Sequence, residues 1–171
     1  MNAVSTSAQR SRPPLRKWLI VCAVILALGV LKAIYAWSQT HYILINQTQS
    51  LPHWAFIVEK GVLPGKGDMV AFTPGPNPYY PEDIAFVKIV RGVGGDMVTH
   101  EGVDVAINGE RLGPNKALTG ANPNVTPVDP GTVPEGLFFV WSPSPDSFDS
   151  RYKEIGYVGQ GRIIGRARPL L

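Results

Sequence analysis

The chain has 171 residues, with 16 Lys plus Arg against 13 Asp plus Glu, three His and a single Cys. This length allows one modest domain, the lone Cys excludes an intramolecular disulfide framework, and the scattered His have no metal-ligand spacing. Five of the sixteen basic residues lie in the first 37 positions, which hold no acidic residue, so eleven basic and thirteen acidic residues follow. The main body is therefore slightly acidic, which argues against nucleic acid as a partner.

An apolar run from Trp18 to Trp37 follows a polar, basic tail at residues 1–17. About twenty residues at about 1.5 Å each match a hydrocarbon core roughly 30 Å thick, so we predict a transmembrane anchor at 18–37 within the lipid bilayer. The positive charges ahead of it predict a cytoplasmic tail and a domain at 38–171 outside the cytoplasm. A cleaved signal peptide is the alternative, although no clear Ala-x-Ala site follows the run and Lys32 is unusual there.

Short alternating apolar runs, bounded by Pro, Gly and Asn, make up the rest of the chain. Such runs predict a mostly β domain, an antiparallel sheet or barrel with few helices. The predicted strands are Tyr42–Ile45, Ala55–Val58, Asp68–Phe72, Ile84–Val90, Val103–Ile107, Leu137–Trp141 and Gly161–Arg166. Two stretches rich in turn residues, Thr73–Glu82 and Gly113–Pro134, are predicted to be surface loops.

Two residues are candidates for catalysis. Ser50 lies in a polar segment ending at Pro52, which by itself is typical of a turn. Lys88 is the one polar residue in the predicted strand Ile84–Val90. A strand lysine is commonly an edge residue that opposes aggregation, whereas a buried lysine has a lowered pKa and is a usable general base. A serine beside such a lysine is a known nucleophile–base arrangement that needs no histidine.

Five groups of short motifs follow one another along the chain. They are Ser50–Pro52, Lys66–Val70, Phe86–Asp96, Ile107–Gly109, and Val133–Gly136 followed by Ser147–Tyr152. In this order they resemble the boxes of the type I signal peptidase family of membrane-anchored Ser–Lys proteases. The resemblance covers roughly residues 18–168. It implies a signal-peptidase-like antiparallel β catalytic domain behind one N-terminal transmembrane helix, and a serine endopeptidase that uses no cofactor.

The resemblance also implies roles for individual residues. Ser50 would be the nucleophile and Lys88 the general base. The backbone N–H of Ser50 and the hydroxyl of Thr48 would form the oxyanion hole. Three residues of the last motif would orient the base or hold the segment that carries it: Ser147, Asp149 and Arg151. For the Asp149 and Arg151 pair, an ordinary surface ion pair is the alternative.

Departures from the family pattern indicate a branch. The nucleophile box has the form Ser-Leu-Pro without Met, the chain is small, and Trp141–Asp146 replaces the usual Gly-Asp-Asn-Arg. These features resemble the conjugative-transfer, TraF-type peptidases, which mature the pilin precursor of a mating pore. We therefore expect an enzyme of the bacterial inner membrane, with its catalytic domain in the periplasm, that processes a pilin-like precursor, with hydrolysis or cyclisation left open. The alternatives are a general signal peptidase for secreted preproteins and a non-catalytic anchored assembly protein of a secretion or conjugation apparatus.

Large apolar residues flank the candidate nucleophile. Leu51, Trp54 and Phe56 either pack in the core or contact the lipid surface, where they would meet membrane-bound precursors. Burial of these side chains distinguishes the two interpretations.

Overall fold

A long N-terminal helix, α1, runs from Leu15 to Thr40 in the computed structural model, which describes residues 15–48 and 50–170. The chain divides into two units between Gln39 and Thr40, and all described residues of the first unit belong to the helix. Its 26 residues extend about 39 Å, which exceeds the hydrocarbon thickness of roughly 30 Å. Within the described ranges it is the one helix long and apolar enough to cross a membrane, and none of its residues is buried.

The second unit consists of antiparallel strands. In the described residues these are β1 (His41–Ile45), β2 (Ala55–Lys60), β3 (Met69–Phe72), β4 (Phe86–Gly92), β5 (Met97–Glu101), β6 (Asp104–Ile107), β7 (Glu110–Pro114), β8 (Gly131–Thr132), β9 (Leu137–Trp141), β10 (Val158–Gly159) and β11 (Ile163–Pro169). A large sheet has the order β1-β2-β11-β3-β4-β9-β10, and a small sheet has the order β7-β6-β5-β8. The prediction of a mostly β, antiparallel fold behind one apolar helix is confirmed.

Each predicted strand has a counterpart, but four strands were not predicted: β5, β7, β8 and β10. Two of them, β7 and β8, overlap Gly113–Pro134, so the prediction of a loop over that whole stretch is wrong at both ends. The sequence of β7, Glu-Arg-Leu-Gly-Pro, has one large apolar side chain, Leu112, and ends in two residues typical of turns. Backbone pairing with β6 and burial of Leu112 outweigh these local preferences.

Strand β4 lies inside the large sheet, between β3 and β9. Alternation along the strand places Lys88 and Val90 on its buried face, and Val90 belongs to a core cluster with Phe72 and Val140. Lys88 pairs in register with Val70 of β3. The interpretation of this lysine as an edge residue is therefore wrong, because its strand has a neighbour on either side.

Three of the sequence motifs meet around one carboxylate, that of Asp96. It accepts hydrogen bonds from Lys66 Nζ at 2.8 Å, from the Val93 N–H at 2.9 Å and from Asn108 Nδ2 at 2.7 Å. The Lys66 hydrogen bond is the largest influence that lowers the pKa of Asp96 to about 2. The preceding Gly95 has a φ of 89°, which an L side chain rarely adopts. These motifs stabilise the turn between the two sheets.

The apolar residues beside the candidate nucleophile separate into two groups. Leu51 and Phe56 are 4% and 1% exposed and pack with Val58 in one core cluster. Trp54, in contrast, is 55% exposed. Core packing is thus the correct interpretation for Leu51 and Phe56, and lipid contact stays open for Trp54 alone.

Candidate active site

A cavity of about 280 Å³ brings four of the predicted site residues together: Thr48, Ser50, Lys88 and Ser147. The segment after β1 supplies Thr48 and Ser50, β4 supplies Lys88, and the loop after β9 supplies Ser147. Most other walls of the cavity are apolar side chains, namely Leu44, Ile45, Phe56, Ile84, Ala85, Phe86, Val87 and Phe148. The cavity therefore combines a hydroxyl and an amine with surfaces suited to apolar side chains.

Lys88 is the charged group of this cavity that is most withdrawn from water, with 5% of its surface exposed. Its Nζ donates a hydrogen bond to Ser147 Oγ at 2.8 Å and lies 5.7 Å from the centroid of the Phe86 ring. Burial lowers the pKa of Lys88 to about 8; the Asp149 carboxylate opposes this shift and Arg151 adds to it. A substantial fraction of the lysine is therefore neutral near pH 8 and able to accept a proton.

Ser50 occupies a turn in the connection between β1 and β2. Its hydroxyl oxygen is 3.0 Å from Thr48 Oγ1, so the two hydroxyls share a hydrogen bond. The Ser142 hydroxyl donates to the carbonyl oxygen of Ser50 and ties the turn to the chain after β9. This arrangement places the Thr48 hydroxyl within hydrogen-bond distance of the Ser50 oxygen, so the two hydroxyls can act together.

Asp149 and Arg151 lie behind the cavity and are outside its lining. Their side chains are 0% and 1% exposed, and two guanidinium nitrogens of Arg151, Nε and Nη2, each donate to the carboxylate at 2.9 Å. The interpretation as an ordinary surface ion pair is therefore wrong. Arg151 Nη2 also donates to the backbone carbonyls of Ser144 at 3.1 Å and Ser147 at 3.4 Å. The pair thus holds the segment that carries Ser147, the hydrogen-bond partner of Lys88.

Asn46 and Ser142, two polar residues that hydrogen-bond to the turn of Ser50, were not predicted. Asn46 lines the cavity and its side-chain oxygen accepts the backbone N–H of Thr48 at 3.1 Å. An Asn two residues before a Thr is a signal for such a turn, although a weak one. Ser142 lies in Trp141–Asp146, the segment that departs from the family pattern. Its contact with Ser50 joins positions 92 residues apart, and no local pattern indicates it.

Known proteins resemble this chain over most of its length. The family model described as signal peptidase, peptidase S26, matches residues 15–171. A probable signal peptidase I-2 of Synechocystis sp. is 28% identical over 176 residues, which cover 95% of this chain and 77% of that protein. A crystal structure of a signal peptidase I from Enterococcus faecalis V583 is 28% identical and covers 61% of this chain and 96% of that chain, with a TM-score of 0.38. The region matched by the family model includes every residue of the cavity.

Proposed function

Because the chain belongs to the peptidase S26 family of signal peptidases and is a serine endopeptidase of that type, we propose that Ser50 is its nucleophile and Lys88 its general base. The observation that carries the proposal is the shared cavity, in which a hydroxyl on a turn faces the same space as a buried lysine. His53 packs edge-on against Phe56 at 5.9 Å between centroids and is outside the cavity lining. His53 therefore has no support as the general base.

In the first half of the reaction, Ser50 Oγ attacks the scissile carbonyl carbon while its proton passes to the neutral Lys88 amine. The carbonyl oxygen becomes an oxyanion, which accepts hydrogen bonds from the Thr48 hydroxyl and the Ser50 N–H. The Lys88 ammonium then protonates the leaving amine, the C–N bond breaks, and an acyl-enzyme with neutral Lys88 remains. Ser147 holds Nζ in place through its 2.8 Å hydrogen bond.

In the second half, water attacks the acyl carbon and gives its proton to Lys88. The new tetrahedral oxyanion uses the same two donors, and its collapse expels Ser50 Oγ, which takes the proton back from Lys88. Both halves need a lysine that gains and loses one proton, and the burial of Lys88 supports this because desolvation disfavours the charged form.

The substrate of the proposed enzyme is an exported precursor bearing a signal peptide. The apolar cavity walls suit an extended apolar segment, cut after small residues as the family resemblance implies. Helix α1 provides the membrane anchor, with residues 1–17 in the cytoplasm and 38–171 in the periplasm, because the positive charges near the anchor precede it. The proposed location is the bacterial inner membrane.

A narrower proposal is that the precursor is the pilin of a conjugative mating pore. The Ser-Leu-Pro form of the nucleophile box, without Met, favours it. A general signal peptidase for secreted preproteins fits the family equally well. Mass spectrometry of a pilin precursor and a secreted preprotein, each from cells with and without this protein, separates the two. A mature pilin with an unprocessed preprotein supports the narrower proposal, and the reverse refutes it.

Cleavage of a membrane-reconstituted precursor by the full chain tests the catalytic assignment. We expect Ser50→Ala to be inert, whereas the matched control Ser144→Ala, a serine outside the cavity lining, keeps normal activity. Normal cleavage by Ser50→Ala would refute Ser50 as the nucleophile.

The orientation has its own test. A reporter enzyme that is active only outside the cytoplasm, fused after Leu171, should be active in cells. An inactive fusion of normal abundance would overturn the proposed topology and, with it, access to exported precursors.

A further inference from the structure

The side chain of Asn46 connects both ends of the turn that carries Ser50, here called the nucleophile turn. Its Nδ2 donates to the carbonyl oxygens of Leu51 at 3.1 Å and His53 at 2.7 Å, beyond the nucleophile. Its Oδ1 accepts from Thr48 N at 3.1 Å and from Thr48 Oγ1 at 3.3 Å, ahead of the nucleophile. The backbone closes the same loop, since Asn46 N donates to the carbonyl of Trp54 at 2.7 Å.

These contacts use the full hydrogen-bonding capacity of an asparagine side chain. An amide has two N–H donors and an oxygen with two lone pairs, and all four are engaged within residues 46–53. Although Asn46 lines the cavity, its amide has no donor or acceptor left for a substrate. Asn46 therefore acts on the conformation of the neighbouring chain and not on the substrate.

We infer that Asn46 is a positioning residue that orients the Thr48 hydroxyl and the Ser50 turn for catalysis. The inference rests on the proposed function of Ser50 and Thr48. The Thr48 hydroxyl has one proton and two nearby acceptors, Asn46 Oδ1 and Ser50 Oγ at 3.0 Å. In the free enzyme, the neutral amide oxygen of Asn46 accepts the hydrogen bond of the Thr48 hydroxyl and keeps it in place. When the oxyanion forms, the hydroxyl donates to this stronger acceptor instead.

An aspartate at this position has nearly the same shape but the wrong chemistry. Its carboxylate competes with the oxyanion for the Thr48 proton, because a charged acceptor binds a donor more strongly than an amide does. It also lacks the two N–H donors that Leu51 and His53 require. Asn46→Asp therefore disturbs the oxyanion hole and the turn without opening a cavity.

The test is a double-mutant cycle on the full chain in reconstituted membranes. Wild type, Asn46→Asp, Thr48→Val and the double variant are compared for kcat, KM and thermal unfolding. We expect Asn46→Asp to lower kcat about 10- to 100-fold with KM little changed, less than the 10²–10³ typical of a lost oxyanion donor. In the Thr48→Val background the same substitution should cost at least threefold less, because part of its effect acts through the missing hydroxyl.

The matched control is Asn124→Asp, the same chemical change at an exposed asparagine, and it should leave kcat unchanged. Equal losses from Asn46→Asp in both backgrounds, or no loss at all, would overturn the inference. If Asn46→Asp does not yield folded protein, Asn46→Ser replaces it in the same cycle. Ser50→Ala is measured alongside: activity in that variant refutes the proposed function itself, whereas an inert Ser50→Ala with a normal Asn46→Asp refutes only the role of Asn46.

Discussion

Two buried cations donate hydrogen bonds to Ser147, and their other partners differ. Lys88 donates to the neutral hydroxyl of Ser147 and faces the Phe86 ring. Arg151 donates to the Asp149 carboxylate and to the carbonyl oxygens of Pro114, Ser144 and Ser147. Both side chains are almost fully buried, at 5% and 1% exposed. Their surroundings, rather than their depth, distinguish them.

The difference explains how one fold can hold the proposed base, Lys88, beside a rigid support, Arg151. Arg151 has an anion and fixed acceptors to compensate the loss of water, and a guanidinium stays protonated in proteins. Lys88 has a neutral partner, so that burial lowers its pKa to about 8. Arg151 fixes the segment of Ser147, whereas Lys88 loses its proton near pH 8.

The largest expected effect comes from giving position 88 an arginine, the side chain found at position 151. Lys88→Arg places a permanently protonated group in the cavity, where no proton can be accepted. We expect single-turnover cleavage to fall on the order of 10³–10⁴-fold, near the upper range for loss of general-base catalysis. The control Lys153→Arg, at an exposed ion pair with Asp129, should cleave normally. Near wild-type cleavage by Lys88→Arg would show that Lys88 is not the base.

Removing the Asp149 carboxylate, which compensates the charge of Arg151, should lower the free energy of unfolding. Asp149→Asn leaves the Arg151 charge buried without its carboxylate, and we expect a loss of about 3–5 kcal/mol in the free energy of unfolding. Asp129→Asn, at an exposed pair, should cost less than about 1 kcal/mol. Chemical denaturation of both variants at one pH provides the comparison. Similar small losses would mean that the buried pair contributes no more than a surface pair.

A smaller effect, of opposite sign, is expected from removing the Lys88 charge. The folded pKa of about 8 lies below the ordinary value of 10.5, a difference of about 3 kcal/mol at pH 7. Lys88→Met removes this cost but leaves Ser147 without its donor, which costs about 1 kcal/mol. We therefore expect the variant to be about 2 kcal/mol more stable than wild type at pH 7.

The sign of the pH dependence makes this prediction specific. Between pH 8 and 10.5 the unfolded chain binds more protons at Lys88 than the native state, so wild-type stability rises with pH over this window. The advantage of Lys88→Met should narrow as the pH increases from 8 towards 10. Denaturation curves at pH 7 and 10 measure it, and an equal difference at both would contradict the burial cost.

The sequence alone predicted the features that depend on apolar patterning. Alternating apolar runs located every strand of the large sheet except β10, and the apolar run around Lys88 made burial one of its two interpretations. Motif order selected Ser50 and Ser147 as candidates, and although they are 97 positions apart in the chain they line the same cavity. Strand β7 was not predicted because it ends in Gly and Pro and is held mainly by backbone pairing with β6. Backbone pairing does not show in the pattern of side chains.

The contacts around the nucleophile turn could not be predicted in the same way. Asn46 and Ser142 act through hydrogen bonds to backbone carbonyls, and such bonds depend on the path of the chain. Short polar residues are equally common in ordinary turns, so their type carries little information. The burial of Asp149 and Arg151 was likewise hidden, since the backbone carbonyls that Arg151 binds come from the end of β7 and from the loop after β9, which are distant in the chain.

The pH dependence of single-turnover cleavage tests the central claim, that a desolvated Lys88 is the base. Using the full chain and a membrane-reconstituted precursor, the rate should rise with pH through a midpoint near 8, because only the neutral amine accepts the Ser50 proton. Folded Asp149→Asn should have a lower midpoint, since the carboxylate it lacks raises the pKa of Lys88. A rate that is constant from pH 6 to pH 9.5, or a midpoint that is the same in both proteins, would contradict the account.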